Sequence, residues 1–184
     1  MIEECTLRST YQDTVTTAEP RVKKMNAKDY GVVAAHIDLA VENAAETLLE
    51  VSHAIHGKPE LAFEEHFACE LLSKTLRDHD LNVETGVYSL ETAFETTINS
   101  ERDGPTVAVL AEYDALPQIG HACGHNIIAT TALGAALALN AVAQSLPGRV
   151  KLLGTPAEER GGGKELMARA GAFEGIDAAL MIHP

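Results

Sequence analysis

Cys123 and His125 stand one residue apart in the stretch Glu112–His125, EYDALPQIGHACGH. Thiolate and imidazole are both ligands of zinc and related ions, so a turn that lets the two side chains converge makes them a metal pair. Taken alone, the spacing fits equally a buried structural cysteine beside a histidine that starts a helix. Two later groups add to it: the adjacent carboxylates Glu158 and Glu159, and His183. Neighbouring glutamates suit metal-assisted hydrolysis, because one can ligate while the other accepts the proton of an activated water. They also fit the acidic first turn of a helix. Pro156 before them and Gly161, Gly162 and Gly163 after them leave room for a substrate near the backbone. The run Arg160 to Lys164 lacks the spacing of a phosphate-binding loop, and the neighbouring carboxylates would repel phosphate.

These residues need strands and helices to bring them together. Thr106 to Leu110 is nearly all apolar, the pattern of a strand covered on both faces, and it delivers Glu112 and Asp114 at its carboxyl end. Ligands bind at that edge of open α/β sheets. The spacing predicts a buried helix from about His125 to Ala143, in which Gly134 permits close backbone approach. A strand over Arg149–Gly154, a helix over Lys164–Arg169 and a strand over Ile176–Ile182 follow, the last ending at His183. Upstream, helical periodicity runs from about Ile37 to Ile55 and from Glu64 to Leu76, and short strands are expected at Asn82–Gly86 and Thr92–Ile98. The alternation of strands and helices predicts an α/β sandwich. Residues 1–33 show no sustained period and read as a lead-in, leaving 34–184 as one domain. His53, His56 and His66 have no close ligand partner in sequence and read as structural or exposed, His56 beside the Pro59-Glu60 turn being the one placed to face a site.

Composition narrows the function classes. The chain has 184 residues, of which 46% are hydrophobic and 4% aromatic, so a core of Ala, Val, Leu and Ile is expected. Its formal net charge of -13 argues against a nucleic-acid partner, whose binding is carried by clustered Lys and Arg. Three dispersed cysteines, Cys5, Cys69 and Cys123, do not make a disulfide framework. Met1-Ile2-Glu3-Glu4 carries neither a basic leader nor an apolar signal core, and the apolar run near Ile127–Val142 is short for a bilayer. The expectation is a cytoplasmic protein without a membrane partner.

The order of the motifs resembles a known family. His56-Gly57-Lys58-Pro59-Glu60-Leu61, Ala111 to Pro117, Gly120 to Asn126, Gly154 to Glu159 and Met181 to Pro184 resemble the amino-terminal half of the aminoacylase/carboxypeptidase family of two-metal exopeptidases, in its amidohydrolase branch. The likeness is greatest to the subgroup of aminobenzoyl-glutamate hydrolase and of dipeptidases acting on β-alanyl and basic dipeptides. The resemblance implies a three-layer zinc-exopeptidase-like sandwich with a mixed, largely parallel sheet, incomplete at its carboxyl end. It implies two divalent metal ions in the complete site, zinc or manganese, with one or none in this chain. By resemblance Cys123 is the ligand shared by both metals, His125 and His183 hold the first, Glu159 holds the second, and Glu158 is the general base. Glu112 falls where relatives have an Asp beside the metals, which implies a supporting role. The implied reaction is hydrolysis of an amide bond in a dipeptide or N-acyl amino acid with a free carboxylate.

The sequence also departs from that pattern. Family members are about twice as long, and the lid or dimerisation domain and a late metal-binding histidine have no counterpart here. Homo-oligomerisation is expected of the complete protein. Arg160 replaces a Gly beside the glutamate pair, which predicts a salt bridge to the base. The alternative to a hydrolase is a truncated, inactive homologue serving as a metal-binding or protein-interaction module.

Overall fold

The computed structural model describes residues 26–99 and 101–184, so most of the expected lead-in, up to residue 25, lies outside the described residues. Helix α1 (Ala27–Gly57) begins earlier than the periodicity suggested, because Asn26 caps it by accepting from the Asp29 backbone N–H at 2.9 Å. It ends at Gly57, with Pro59 just beyond. Helix α2 (His66–Arg77) has no side-chain cap of its own. Glu60 supplies one from outside, its carboxylate accepting from the Phe67 and Ala68 N–H groups, each at 3.0 Å. An anion at a helix start also complements the helix dipole. Helices α3 (His125–Ala141) and α4 (Gly163–Arg169) complete the set.

Five strands form one open sheet: β1 (Val83–Thr85), β2 (Phe94–Ile98), β3 (Thr106–Ala111), β4 (Arg149–Gly154) and β5 (Ala178–Leu180), in the order β1-β2-β4-β3-β5. The sheet is mixed. β3 pairs in parallel with β4 and β5, while β2 runs antiparallel to both β1 and β4. Alternate residues of the central strands face opposite layers, as the pleat requires. Val109, Ala111, Val150 and Leu152 pack with α1, α2 and α3, whereas Ala108, Leu110 and Leu153 pack with Met167 of α4 and with Ala172 and Phe173. The result is an α/β sandwich with the sheet in the middle layer.

The helix layer explains the small residues of α3. At Gly134 a Cβ would lie 3.0 Å from Leu48 Cδ1 of α1, so glycine sets how closely the two helices approach. Full burial of Ile55, Leu72, Leu76 and Leu133 on this face contributes on the order of 1.5–3 kcal/mol each. β5 contrasts with this core: all three of its residues are exposed, and it is hydrogen-bonded on one side only, to β3. Among the described residues, no helix is long and apolar enough to cross a membrane.

Candidate metal centre

The carboxyl ends of the three parallel strands carry the chemistry. β3 runs directly into Glu112, Tyr113 and Asp114, all buried. Tyr113 anchors this corner by donating to the Thr92 carbonyl at 2.6 Å. The chain then turns through a bridge between Leu116 and Gly120 and enters α3 at Gly124, whose φ of 77° lies in the left-handed region. A Cβ there would also meet Pro184 Cγ at 2.6 Å, so glycine at this position lets the chain beyond β5 lie against the start of α3.

β4 delivers the glutamate pair by a different route. Thr155 returns both its N–H and its hydroxyl to the Ala111 carbonyl, tying the ends of β3 and β4 together. Ala157 then takes φ 57°, a conformation that costs a non-glycine residue energy and redirects the chain. Buried Glu65 holds that kink by accepting from the Ala157 N–H at 2.8 Å, while its other oxygen accepts from the Thr92 hydroxyl at 2.9 Å. Burial raises the Glu65 carboxyl above the usual carboxylate range, outweighing these hydrogen bonds.

At the centre is His125, buried and oriented from one side. Its Nδ1 lies 2.8 Å from the Asp114 carbonyl and 2.9 Å from Asp114 Oδ1. A carbonyl can only accept, so Nδ1 carries the proton and Nε2 faces the opposite way. There Nε2 meets Glu112 Oε2 at 3.4 Å and Glu159 Oε1 at 3.6 Å. Neither Glu112 Oε2 nor His125 Nε2 has a hydrogen-bond partner, although both are buried. Acceptors converging on one point without a donor between them are stabilised by a cation placed among them. Two sets of groups, each with its ligand atoms within 4.8 Å of one another, share His125: Glu112, His125 and His183, and His125, Glu158 and Glu159. The oxygen and nitrogen donors fit a divalent cation.

Electrostatics follows the same geometry. Burial alone would raise Asp114, but the His125 hydrogen bond and the backbone N–H groups of Glu159 and Glu158 hold its carboxyl below the ordinary value. Burial likewise pushes His125 down, and the Asp114 and Glu112 carboxylates more than reverse this, so its net shift is upward. The Cys123 thiol is pushed up, first by its hydrogen bond with the Glu159 side chain.

Five of the six residues singled out from sequence, Glu112, His125, Glu158, Glu159 and His183, fall in these two groups. Cys123 is in neither, standing instead beside Glu159. His53, His56 and His66 are exposed and belong to neither group. Sequence reasoning placed Asp114 at this strand end without giving it a role, and it missed Lys164. Asp114 joins the sets, because its second oxygen accepts from the Glu159 N–H at 2.9 Å. Lys164 ion-pairs with Glu112 Oε1, whereas Arg160, the cation expected to matter, is exposed. The signal for Asp114 was its place at the carboxyl end of an apolar strand, two residues beyond Glu112; nothing local marked Lys164. The glycine run also reads differently in three dimensions. A Cβ at Gly161 would meet the Phe63 ring at 2.5 Å, and one at Gly163 the Pro156 carbonyl at 1.8 Å, so their space is taken by this chain. An open groove of about 950 Å³ between α1 and α3 is lined by apolar residues such as Ile37, Val41 and Leu48, and contains none of the five clustered residues.

Residues 108–184 match the sequence model of peptidase family M20/M25/M40. The chain is 45% identical over 156 residues to Xaa-Arg dipeptidase of Mus musculus, covering 78% of this chain and 36% of that protein. It is 33% identical over 167 residues to one of the subunits of p-aminobenzoyl-glutamate hydrolase from Escherichia coli, covering 80% and 34%. Among solved structures, a putative aminohydrolase from methicillin-resistant Staphylococcus aureus superimposes with a TM-score of 0.74 at 29% identity, over 81% of this chain and 42% of that one. The YXEP protein of Bacillus subtilis, described as a dinuclear metal-binding peptidase, gives 0.69 at 27% identity, over 75% and 42%. The chain thus spans little more than a third of the curated relatives it matches.

Proposed function

We propose, for a chain whose residues 108–184 match the sequence model of peptidase family M20/M25/M40, that its site serves metal-dependent hydrolysis of an amide bond in a small dipeptide or N-acyl amino acid bearing a free carboxylate. The observation that carries this reading is the convergence of Glu112, Glu159 and the unpartnered Nε2 of His125 at the carboxyl edge of the sheet. His125 and His183 would hold a first zinc or manganese ion, Glu159 a second, and Cys123 both. Bound there, such ions supply Lewis acidity toward a carbonyl and lower the pKa of water.

The chain's own residues do the rest. Asp114 keeps the proton of His125 on Nδ1, so that Nε2 stays available. Through the Glu159 N–H it also fixes the glutamate pair relative to His125. Glu158, exposed where substrate can arrive, takes the proton of the attacking water on its carboxylate and passes it to the leaving amine. The names of the relatives suggest dipeptides ending in Arg and aminobenzoyl-glutamate as substrates to try. We assign the protein to the cytoplasm, with homo-oligomerisation in the complete protein.

The test is hydrolysis of Xaa-Arg dipeptides and aminobenzoyl-glutamate by zinc- or manganese-loaded protein, with Glu158→Ala alongside. Turnover lost in the variant while metal content is kept supports the assignment. Turnover that survives Glu158→Ala refutes the role of that residue. Metal bound without turnover favours the second reading, a metal-binding homologue that does not catalyse.

A further inference from the structure

Glu112 is a buried carboxylate with two different oxygens. Its Oε1 is taken by the Lys164 ammonium, reaching across from α4. Its Oε2 has no partner, is sealed from solvent, and lies 3.4 Å from the equally unpartnered His125 Nε2. That separation is informative. Two ligands of a tetrahedral zinc with bonds of about 2.0–2.2 Å sit about 3.3–3.6 Å apart. His183 completes the set: it, Glu112 and His125 each offer one ligand atom, and these atoms lie within 4.8 Å of one another.

We propose that Glu112 is a direct, single-oxygen ligand of the first metal position and that Lys164 is the positioning residue that holds it in that pose. This rests on the metal-site reading above and changes the part of Glu112 from support to ligation. Lys164 does two things. By occupying Oε1 it prevents the carboxylate from turning both oxygens to the cation, and so keeps the coordination number low. Its charge also offsets one carboxylate in a pocket that gathers Glu112, Asp114, Glu158 and Glu159 around His125. A buried carboxylate without that partner would have no fixed orientation.

The test is the crystal structure of the zinc-loaded 184-residue chain, together with zinc affinity by chelator competition for Glu112→Gln, Lys164→Met and Lys164→Arg. The proposal expects Glu112 Oε2 at about 2.0–2.2 Å from zinc, with Oε1 still on Lys164. Glu112→Gln should weaken the tightest zinc about 10–100-fold, Lys164→Met should weaken it about tenfold, and Lys164→Arg should restore most of that loss. A merely structural lysine would not be rescued in zinc affinity, and melting temperatures of the metal-free variants show whether each folds. If Glu112→Gln does not fold, the oxygen–zinc distance in the wild-type chain decides. Zinc held by His125, Glu158 and Glu159 with Glu112 Oε2 beyond about 3 Å overturns this proposal and leaves the functional reading intact. No zinc bound at all overturns both.

Discussion

Replacing Asp114 by Ala tests how the two halves of the site are joined. The substitution removes two acceptors: Oδ1 from His125 Nδ1, and Oδ2 from the Glu159 N–H. The losses are unequal. His125 keeps the Asp114 carbonyl at 2.8 Å and therefore its tautomer, whereas the Glu159 N–H is left without its acceptor. Leaving a fully buried donor unsatisfied costs about 1–3 kcal/mol, which is an upper bound for this half-buried N–H. Loss of a carboxylate behind a metal-ligating histidine lowers affinity about 10–100-fold. That is about 1.4–2.8 kcal/mol of binding. Because the histidine retains one acceptor, the lower part of that range is expected for zinc, with apo stability falling by at most about 1–3 kcal/mol. The pH dependence has a defined sign. Asp114 is depressed below 3.8, so its contribution is present above that pH and lost as pH falls through its folded value. His125 is raised above 6.5, so its contribution is full below that pH and lost as pH rises through its folded value. Metal-free Asp114→Ala should therefore differ most from wild type between these limits, followed by thermal melts across pH, with zinc competition on the same samples. An affinity within about twofold of wild type, in a protein that melts normally, would refute the coupling.

Three further outcomes are expected. Glu65→Ala strips the Ala157 N–H and the Thr92 hydroxyl of their acceptor and should cost about 2–5 kcal/mol in urea unfolding. Glu65→Gln keeps an acceptor for one and a donor for the other, so it should stay within about 1 kcal/mol. Because burial raises Glu65 above 4.5, wild-type stability from this group falls as pH rises from there through the folded value, and the Gln variant should lose that slope. Gly124→Ala forces a side chain into the left-handed region and against Pro184, costing about 1–2 kcal/mol or more; a melting temperature unchanged from wild type would show that the turn relaxes. Cys123→Ser should lower zinc stoichiometry if the thiolate bridges two ions, whereas unchanged stoichiometry by elemental analysis would remove Cys123 from the ligand set.

Much of this architecture is written locally in the chain. The apolar run of β3 and the small, apolar surface of α3 have no solvent face to offer, so their burial follows from residue type alone, and β4 was found with its bounds intact. The parallel strands then had to place Glu112, Glu159 and His183 on one edge. What sequence could not show depends on distant pairings. β2 enters between β1 and β4 in antiparallel sense, a choice that no residue in Phe94–Ile98 encodes by itself. The Lys164–Glu112 pair joins α4 to the end of β3, and Glu65 reaches Ala157 from the start of α2. α1 begins at Ala27 because of an Asn26–Asp29 cap, a signal weaker in sequence than the mixed polarity around it.

The central claim is that His125 is the shared point of a cation site, and zinc binding to the 184-residue chain with and without His125→Ala tests it most directly. The account predicts at least one zinc per wild-type chain at neutral pH and loss of the tight component in the variant, because both groups of converging side chains include that residue. Equal zinc content and affinity in the two proteins would contradict it.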